Sequence, residues 1–403
     1  MHAASPFSTP DSADEASLAY RPDEAWPFYA EDEIEAMSRV LRSGKVNQWT
    51  GPEVFAFQEA CTKRFGGGHG LALTNGSVAL EIALRAFGIG PGDEVVVTPR
   101  TFVASAACVR LVGATPVFAD VDLYSGNVTA ETIEAVLTER TRAIIPVHLG
   151  GWPCDMPAIM ALAEDRGVRV IEDCAQAHGA TIDGRSVGSF GDSAAFSFCQ
   201  DKIITLAGEG GFTSFKDRAA WEWAWSFKDH GKNLAKVEAP AAGTGFRWLH
   251  DGVGTNWRLT GPQAALGLVQ LGKLDAWTEA RTTNAEIWRA ALAGVPGLRV
   301  PMPGPRFRHA FYKLNFYVAG ENAAPRREAL LRRAAEEHLR LFSGSCSEVY
   351  LEGAFGDLPK PDLPNARALT GSSLMVEVHP TLRPELTERR AARLAELAQE
   401  VLG

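Results

Sequence analysis

The sequence has no C-x-x-C pair, no G-x-G-x-x-G behind a strand-like run and no phosphate-binding P-loop. Its apolar runs fall well short of the roughly 18 residues that cross a bilayer. It has no internal repeat, and its formal net charge is −9, so it lacks a basic excess. Each absence removes a class. The charge excludes general affinity for nucleic acid, which needs basic patches, but leaves room for a local basic pocket. The six cysteines (Cys61, Cys108, Cys154, Cys174, Cys199 and Cys346) are scattered, which fits neither a zinc site nor a dense disulfide framework, and no metal is expected. The missing dinucleotide fingerprint disfavours a nicotinamide dehydrogenase. The opening stretch MHAASPFSTPDSADEAS is polar and acidic, without a basic start or an apolar core. It reads as a disordered tail rather than a signal peptide, and with reduced thiols this points to the cytoplasm.

What is present is an ordinary globular composition, 46% hydrophobic and 22% charged over 403 residues, enough for two domains. From residue 70 to 215, strand-like runs alternate with helical patterns. That alternation predicts a mostly parallel sheet with helices on both faces. Residues 31–43 carry Ile34, Met37, Val40 and Leu41 at helical spacing, with Gly44 as the stop. Residues 129–141 also read as a helix. The 71–87 segment LALTNGSVALEIALRAF places Thr74-Asn75-Gly76-Ser77 between a short strand and an amphipathic helix. Glycine lets the backbone approach an anion there, and the helix start supplies N–H groups, although a plain capped turn would look the same. Asp120-Val-Asp122 is too short a motif to indicate a metal and opens a turn.

The most informative stretch is VRVIEDCAQAHGATIDGRSVGSFGDSAAFSFCQDKIITLAGEGGF, residues 168–212. A buried-type run (Val168, Val170, Ile171) ends in Glu172–Asp173, where open α/β sheets place their ligands. A second run, Ala194 to Phe198, is followed by Lys202 and then Gly208-Glu209-Gly210-Gly211. An acid, a hydroxyl (Ser197), a lysine and a glycine segment thus converge. Pyridoxal phosphate chemistry needs such a set: an amine to hold the aldehyde as a Schiff base, an anion for the ring nitrogen, and hydroxyls and N–H groups for the phosphate.

These motifs, IEDCAQAHGA followed by GSFGDSAAFSFCQDKIITLAGEGG, resemble the DegT/DnrJ/EryC1/StrS aminotransferases, fold type I enzymes that aminate keto sugars and ketocyclitols. The resemblance runs from about residue 30 to 380. It implies that Lys202 forms the internal aldimine, that Asp173 pairs with the pyridine nitrogen, and that Gln176 lies near the ring's 3-oxygen. It also implies that Ser197, Gly76 and Ser77 serve the phosphate and that Phe102 stacks on the ring. Gly254-Thr-Asn256-Trp-Arg258, followed by Gln263-Ala-Ala, resembles the segment whose asparagine reaches the phosphate of the other subunit. Asn256 then makes the enzyme a homodimer with shared active sites. Arg258 reads equally well as a structural ion pair. The loop Gly44–Gly51, with Lys45, Asn47 and Trp49, lies near the substrate in the family. Cys199-Gln200-Asp201 and Trp257 depart from the usual residues.

The expected architecture is α/β: a tail (1–25), a large cofactor-binding domain with a mostly parallel seven-stranded-type sheet (26–275), and a smaller C-terminal α/β domain (276–403). The expected reaction moves an amino group from L-glutamate, or L-glutamine, to a nucleotide-linked keto-deoxy sugar of surface-polysaccharide or secondary-metabolite biosynthesis. A ketocyclitol is the alternative acceptor. Sugar dehydratases of this fold replace the lysine with histidine, so Lys202 speaks against that reaction, and intact cofactor residues speak against a non-enzymatic regulator. No membrane or nucleic-acid partner is expected.

Overall fold

Seven short runs pair into one sheet, in the order His69–Leu73, Gly211–Phe215, Ser193–Ser197, Arg169–Asp173, Thr141–Ile145, Glu94–Val97, Thr115–Phe118. The computed structural model describes residues 18–66, 68–240 and 245–403. Only Gly211–Phe215 runs antiparallel to its neighbours in this sheet. Val95–Val97, Ala143–Ile145 and Val170–Ile171 are buried on both sides, as expected of a parallel sheet covered by helices on its two faces. The covering helices include Glu53–Phe65, Gly76–Ala86, Ala104–Leu111, Met156–Arg166 and Arg218–Phe227.

A second apolar cluster surrounds a four-stranded sheet ordered Leu298–Arg299, Leu314–Val318, Ser373–Val376, Leu341–Phe342. The 32-residue helix Gly261–Leu292 joins the two cores. Its Ala264 and Leu274 pack in the first, its Ala285, Trp288 and Leu292 in the second. Tyr312, Tyr317 and the stretch from Val349 to Leu369 also contribute to the first core. The later part of the chain therefore folds back onto the large sheet.

Two expectations need correction. The helix expected over 129–141 spans only Ala130–Glu134. Thr138 and Thr141 exchange hydrogen bonds in a turn that delivers the chain to the next strand. Of the expected tail, residues 1–17 lie outside the described residues, but residues 18–25 are packed. Tyr20 is buried, and the buried Glu24 carboxylate accepts both Arg390 terminal nitrogens at 2.8 Å. A buried pair of this kind needs its partner, because either charge alone in the core is costly. Asp120 and Asp122 are structural, as expected: Asp120 accepts the Asn365 and Ala366 amides, and Asp122 those of Tyr124 and Ser125.

Candidate active site

The carboxyl ends of the parallel strands gather the chemistry, as the topology of open α/β sheets dictates. Asp173 ends its strand and is 4% exposed. Its Oδ2 accepts the Ser105 hydroxyl at 2.7 Å, and its Oδ1 accepts the Ala175 N–H at 3.1 Å. Ser105 in turn lies 2.7 Å from the Thr101 hydroxyl. Burial pushes the Asp173 carboxyl above its ordinary range, opposed by Ser105, the Ala175 amide and the positive charge of Lys202. A buried carboxylate so placed is a receptor for a cation.

Beside it, Glu172 is fully buried and structural. Its carboxylate accepts the Gly188, Phe190 and Gly191 amides at 2.7–2.9 Å and lies 3.2 Å from His148 Nε2. Burial opposes its charge, but His148 and these amides hold it below the usual carboxylate range. His148, Glu172 and Cys174 bring donor atoms within 4.8 Å of one another. Both Glu172 oxygens are already taken by these partners.

Lys202 follows the Ser193–Ser197 strand in a turn. Its N–H donates to Cys199 O at 3.1 Å, and its carbonyl accepts the Trp26 indole N–H at 2.9 Å. Its Nζ lies 4.8 Å from the ring centroid of Tyr312, whose hydroxyl donates to Asp201. Behind it His178 is sealed among Phe65, Phe196 and Phe198, and burial pushes its imidazole down to about 3.

The turn Thr74–Gly76 sits against the ends of two strands. A Cβ on Gly76 would lie 2.5 Å from Ser197 Cβ, and one on Gly211 would lie 2.2 Å from the Asn75 carbonyl oxygen. Glycine at both places lets the start of the Gly76–Ala86 helix approach Ser197. Asn75 caps that helix through the Val78 N–H at 3.0 Å, and the other N–H groups of its first turn have no intrahelical acceptor. Ser77 is exposed and Ser197 nearly buried. This hydroxyl-bearing cradle at a helix start fits a phosphate. Phe102 is 66% exposed, which rules out a core role for a ring this large. Gln176 is buried, and its Oε1 accepts the Gly150 N–H at 2.7 Å.

Asn256 is exposed, at a bridge between its backbone and Asp229. The next residue, Trp257, accepts the Thr74 N–H through its carbonyl at 3.1 Å, so Asn256 stands one residue from the contact with the Thr74–Gly76 turn. Arg258 is the structural ion pair that its alternative reading proposed. It donates to the fully buried Asp229, which also takes Lys232 at 3.1 Å and the Trp49 indole N–H at 2.7 Å. Burial opposes the charge of Asp229, but Lys232, Lys228 and Arg258 hold its carboxyl below the usual range. The neighbouring Lys228 is buried too. Its Nζ donates to Gln48 at 3.0 Å, and burial pushes it down to about 8. Sequence reasoning missed Asp229, Tyr312 and Trp26, because each has a partner more than a hundred positions away.

Solved aminotransferases share this architecture. The aminotransferase from Psychrobacter cryohalolentis is 47% identical and superposes with a TM-score of 0.88, covering 92% of this chain and 97% of that one. The chain is a pyridoxal-phosphate-dependent transaminase of fold type I. It belongs to the DegT/DnrJ/EryC1/StrS aminotransferase family, whose model matches residues 27–394. Its relatives include the 3-amino-5-hydroxybenzoate synthase of Amycolatopsis mediterranei, 34% identical over 84% of this chain and 85% of that protein. They also include the dTDP-3-amino-3,4,6-trideoxy-alpha-D-glucose transaminase of Streptomyces venezuelae, 33% identical over 87% and 88%. Among the described residues no helix is long and apolar enough to cross a membrane.

Proposed function

We propose that this transaminase carries an amino group from L-glutamate, or L-glutamine, to the ketone of a nucleotide-linked deoxy sugar, through pyridoxal phosphate held by Lys202. The observation that carries the reading is the approach of one amine, Lys202, and one buried carboxylate, Asp173, beside a glycine-lined helix start. Relatives named for nucleotide-sugar amination support the acceptor class. The relative named 3-amino-5-hydroxybenzoate synthase makes a carbocyclic amine, and it keeps a ketocyclitol as the second reading.

In this reading Gly76, Ser77 and Ser197 hold the phosphate, aided by the N-terminal dipole of the Gly76–Ala86 helix. The exposed ring of Phe102 would offer a flat face to the cofactor ring, which accounts for its exposure. Gln176, anchored on Gly150, offers its amide to the ring oxygen. Asp173 holds the proton on the ring nitrogen, and Ser105 and Ala175 fix the carboxylate for that task. Pyridoxal phosphate, when bound, supplies the aldehyde that takes up the amine and the ring that draws electrons from the substrate carbon. Lys202, once free, would move a proton between the substrate's amine-bearing carbon and the former aldehyde carbon of the cofactor as base and acid. Tyr312 and the turn held by Trp26 keep its amine within reach. Asn256 completes the phosphate site of a second copy, so the working unit is a homodimer. The chain divides into a cofactor-binding part up to about 275 and a smaller part beyond it.

The test is to titrate the yellow purified protein with a panel of nucleotide-linked amino sugars and amino cyclitols and follow the visible absorbance. Rapid bleaching by one amino sugar identifies the product. Bleaching by cyclitol amines alone overturns the sugar reading.

A further inference from the structure

Asp229 is a fully buried carboxylate on which two other stretches of chain meet its own turn. From the Gly44–Gly51 loop, Trp49 donates its indole N–H to Oδ2 at 2.7 Å. From the strand-like stretch that bears Asn256, Arg258 donates to Oδ1, and the backbones of Asp229 and Asn256 form a bridge. From its own turn, Lys232 donates to Oδ1 at 3.1 Å and also sits 4.3 Å from the centre of the Trp49 ring. A second buried bond runs parallel to the first: Lys228 Nζ donates to Gln48 Oε1 at 3.0 Å. Trp225 and Phe55 meet the Trp49 ring edge-on at 6.2 and 6.1 Å. The loop is therefore held by charge-assisted bonds in addition to these aromatic edges. Such bonds are directional and strong where water is excluded.

We infer that Asp229 is a positioning residue that ties the Gly44–Gly51 loop to Asn256, so that the setting of the loop in one subunit governs how firmly the cofactor phosphate is held in the other. This rests on the reading of Asn256 given above. Two oxygens of one carboxylate serve the two sides separately, Oδ2 the loop and Oδ1 the Arg258 side. Loss of either bond leaves the carboxylate with one fewer restraint on its orientation, and the remaining partner shares that loss. Trp49 never touches the cofactor in this scheme, and its influence passes through Asp229.

The test is a double-mutant cycle on the apo-dimer, reading the dissociation constant of pyridoxal phosphate by its visible absorbance. Trp49→Phe keeps an aromatic ring and deletes the N–H. Asp229→Asn keeps the shape and deletes the charge. Each alone should weaken cofactor binding, and together they should weaken it less than the product of the two effects, by about threefold or more. Arg258→Lys replaces Asp229→Asn in the cycle if that variant does not yield soluble dimer. A purely structural role would lower thermal stability without moving cofactor affinity, and that outcome overturns the inference, as does strict multiplication of the two effects. An Asn256→Ala arm separates the two layers. If it weakens cofactor binding while the cycle shows no coupling, the tie fails and the shared site stands. If it has no effect on cofactor binding, the shared site fails and the tie fails with it.

Discussion

Ser105 donates its hydroxyl to Asp173 at 2.7 Å, from a helix that starts just past the exposed ring of Phe102. One turn of chain therefore carries both the hydroxyl that orients the acid and an exposed aromatic ring. The acid is buried, and its carboxyl is raised by that burial. A cationic ring nitrogen would relieve the cost of keeping it charged. Asp173→Asn should still bind pyridoxal phosphate but lose the first half-reaction with glutamate by about a thousandfold, the scale of losing a preorganised charge. Stopped-flow absorbance measures it, and a near wild-type rate would mean that another acid serves the ring.

Lys202 should be the one residue that borohydride links irreversibly to the cofactor. Peptide mass mapping of the reduced protein checks this. A label on Lys228, the buried lysine already pushed down to about 8, would move the site to the wrong lysine.

Gly76→Ala places a methyl where Ser197 Cβ and Cα already stand, at 2.5 and 3.1 Å. Neither atom can swing away, so the helix start must retreat. Overpacking of this kind costs about 1–3 kcal/mol. Cofactor affinity should fall by about tenfold or more, since about 1.4 kcal/mol is tenfold. Equilibrium titration with pyridoxal phosphate reads the change, and unchanged affinity would remove Gly76 from the phosphate cradle.

Mixed dimers test the sharing of sites. Combining Lys202→Ala with Asn256→Ala subunits leaves one site intact in each heterodimer and the other lacking both residues. Random exchange then restores about a quarter of wild-type activity per protomer in a two-fold symmetric pair. Activity that stays at the level of the separate variants, with exchange proven by native mass spectrometry, would refute the arrangement.

His178 should make the fold acid-sensitive. Burial pushes its imidazole from 6.5 down to about 3, so the unfolded chain takes up a proton that the folded chain refuses. Its contribution to stability is then full above pH 6.5 and is lost as pH falls towards 3. Urea unfolding between pH 7 and 4 should show that decline, and His178→Asn, with no titrating ring, should show a shallower one. Equal slopes would assign the acid sensitivity elsewhere.

The local positions of the candidate site residues were legible because each is a strand end or a turn with its own chemistry: Asp173 after Val170–Ile171, the Thr74–Ser77 turn, Lys202 before its glycines. The helix at 31–43 closes on Gly44 as its spacing requires, with Gly44 N–H bonded to Leu41 O at 3.1 Å. The helix over 129–141 was overextended because threonine side chains at 138 and 141 captured backbone groups that a helix would have used. Asp229 and Tyr312 were invisible for another reason. Their partners Trp49 and Asp201 lie 180 and 111 residues away, and no local pattern marks such a bond.

The indole of Trp26 holds the carbonyl of Lys202, and just before it Glu24 is clamped by Arg390 on the Pro384–Leu402 helix. Glu24 and Trp26 thus link the Pro384–Leu402 helix to the turn that carries Lys202. A displacement of that helix against the large sheet is transmitted to the lysine's backbone through three residues of chain.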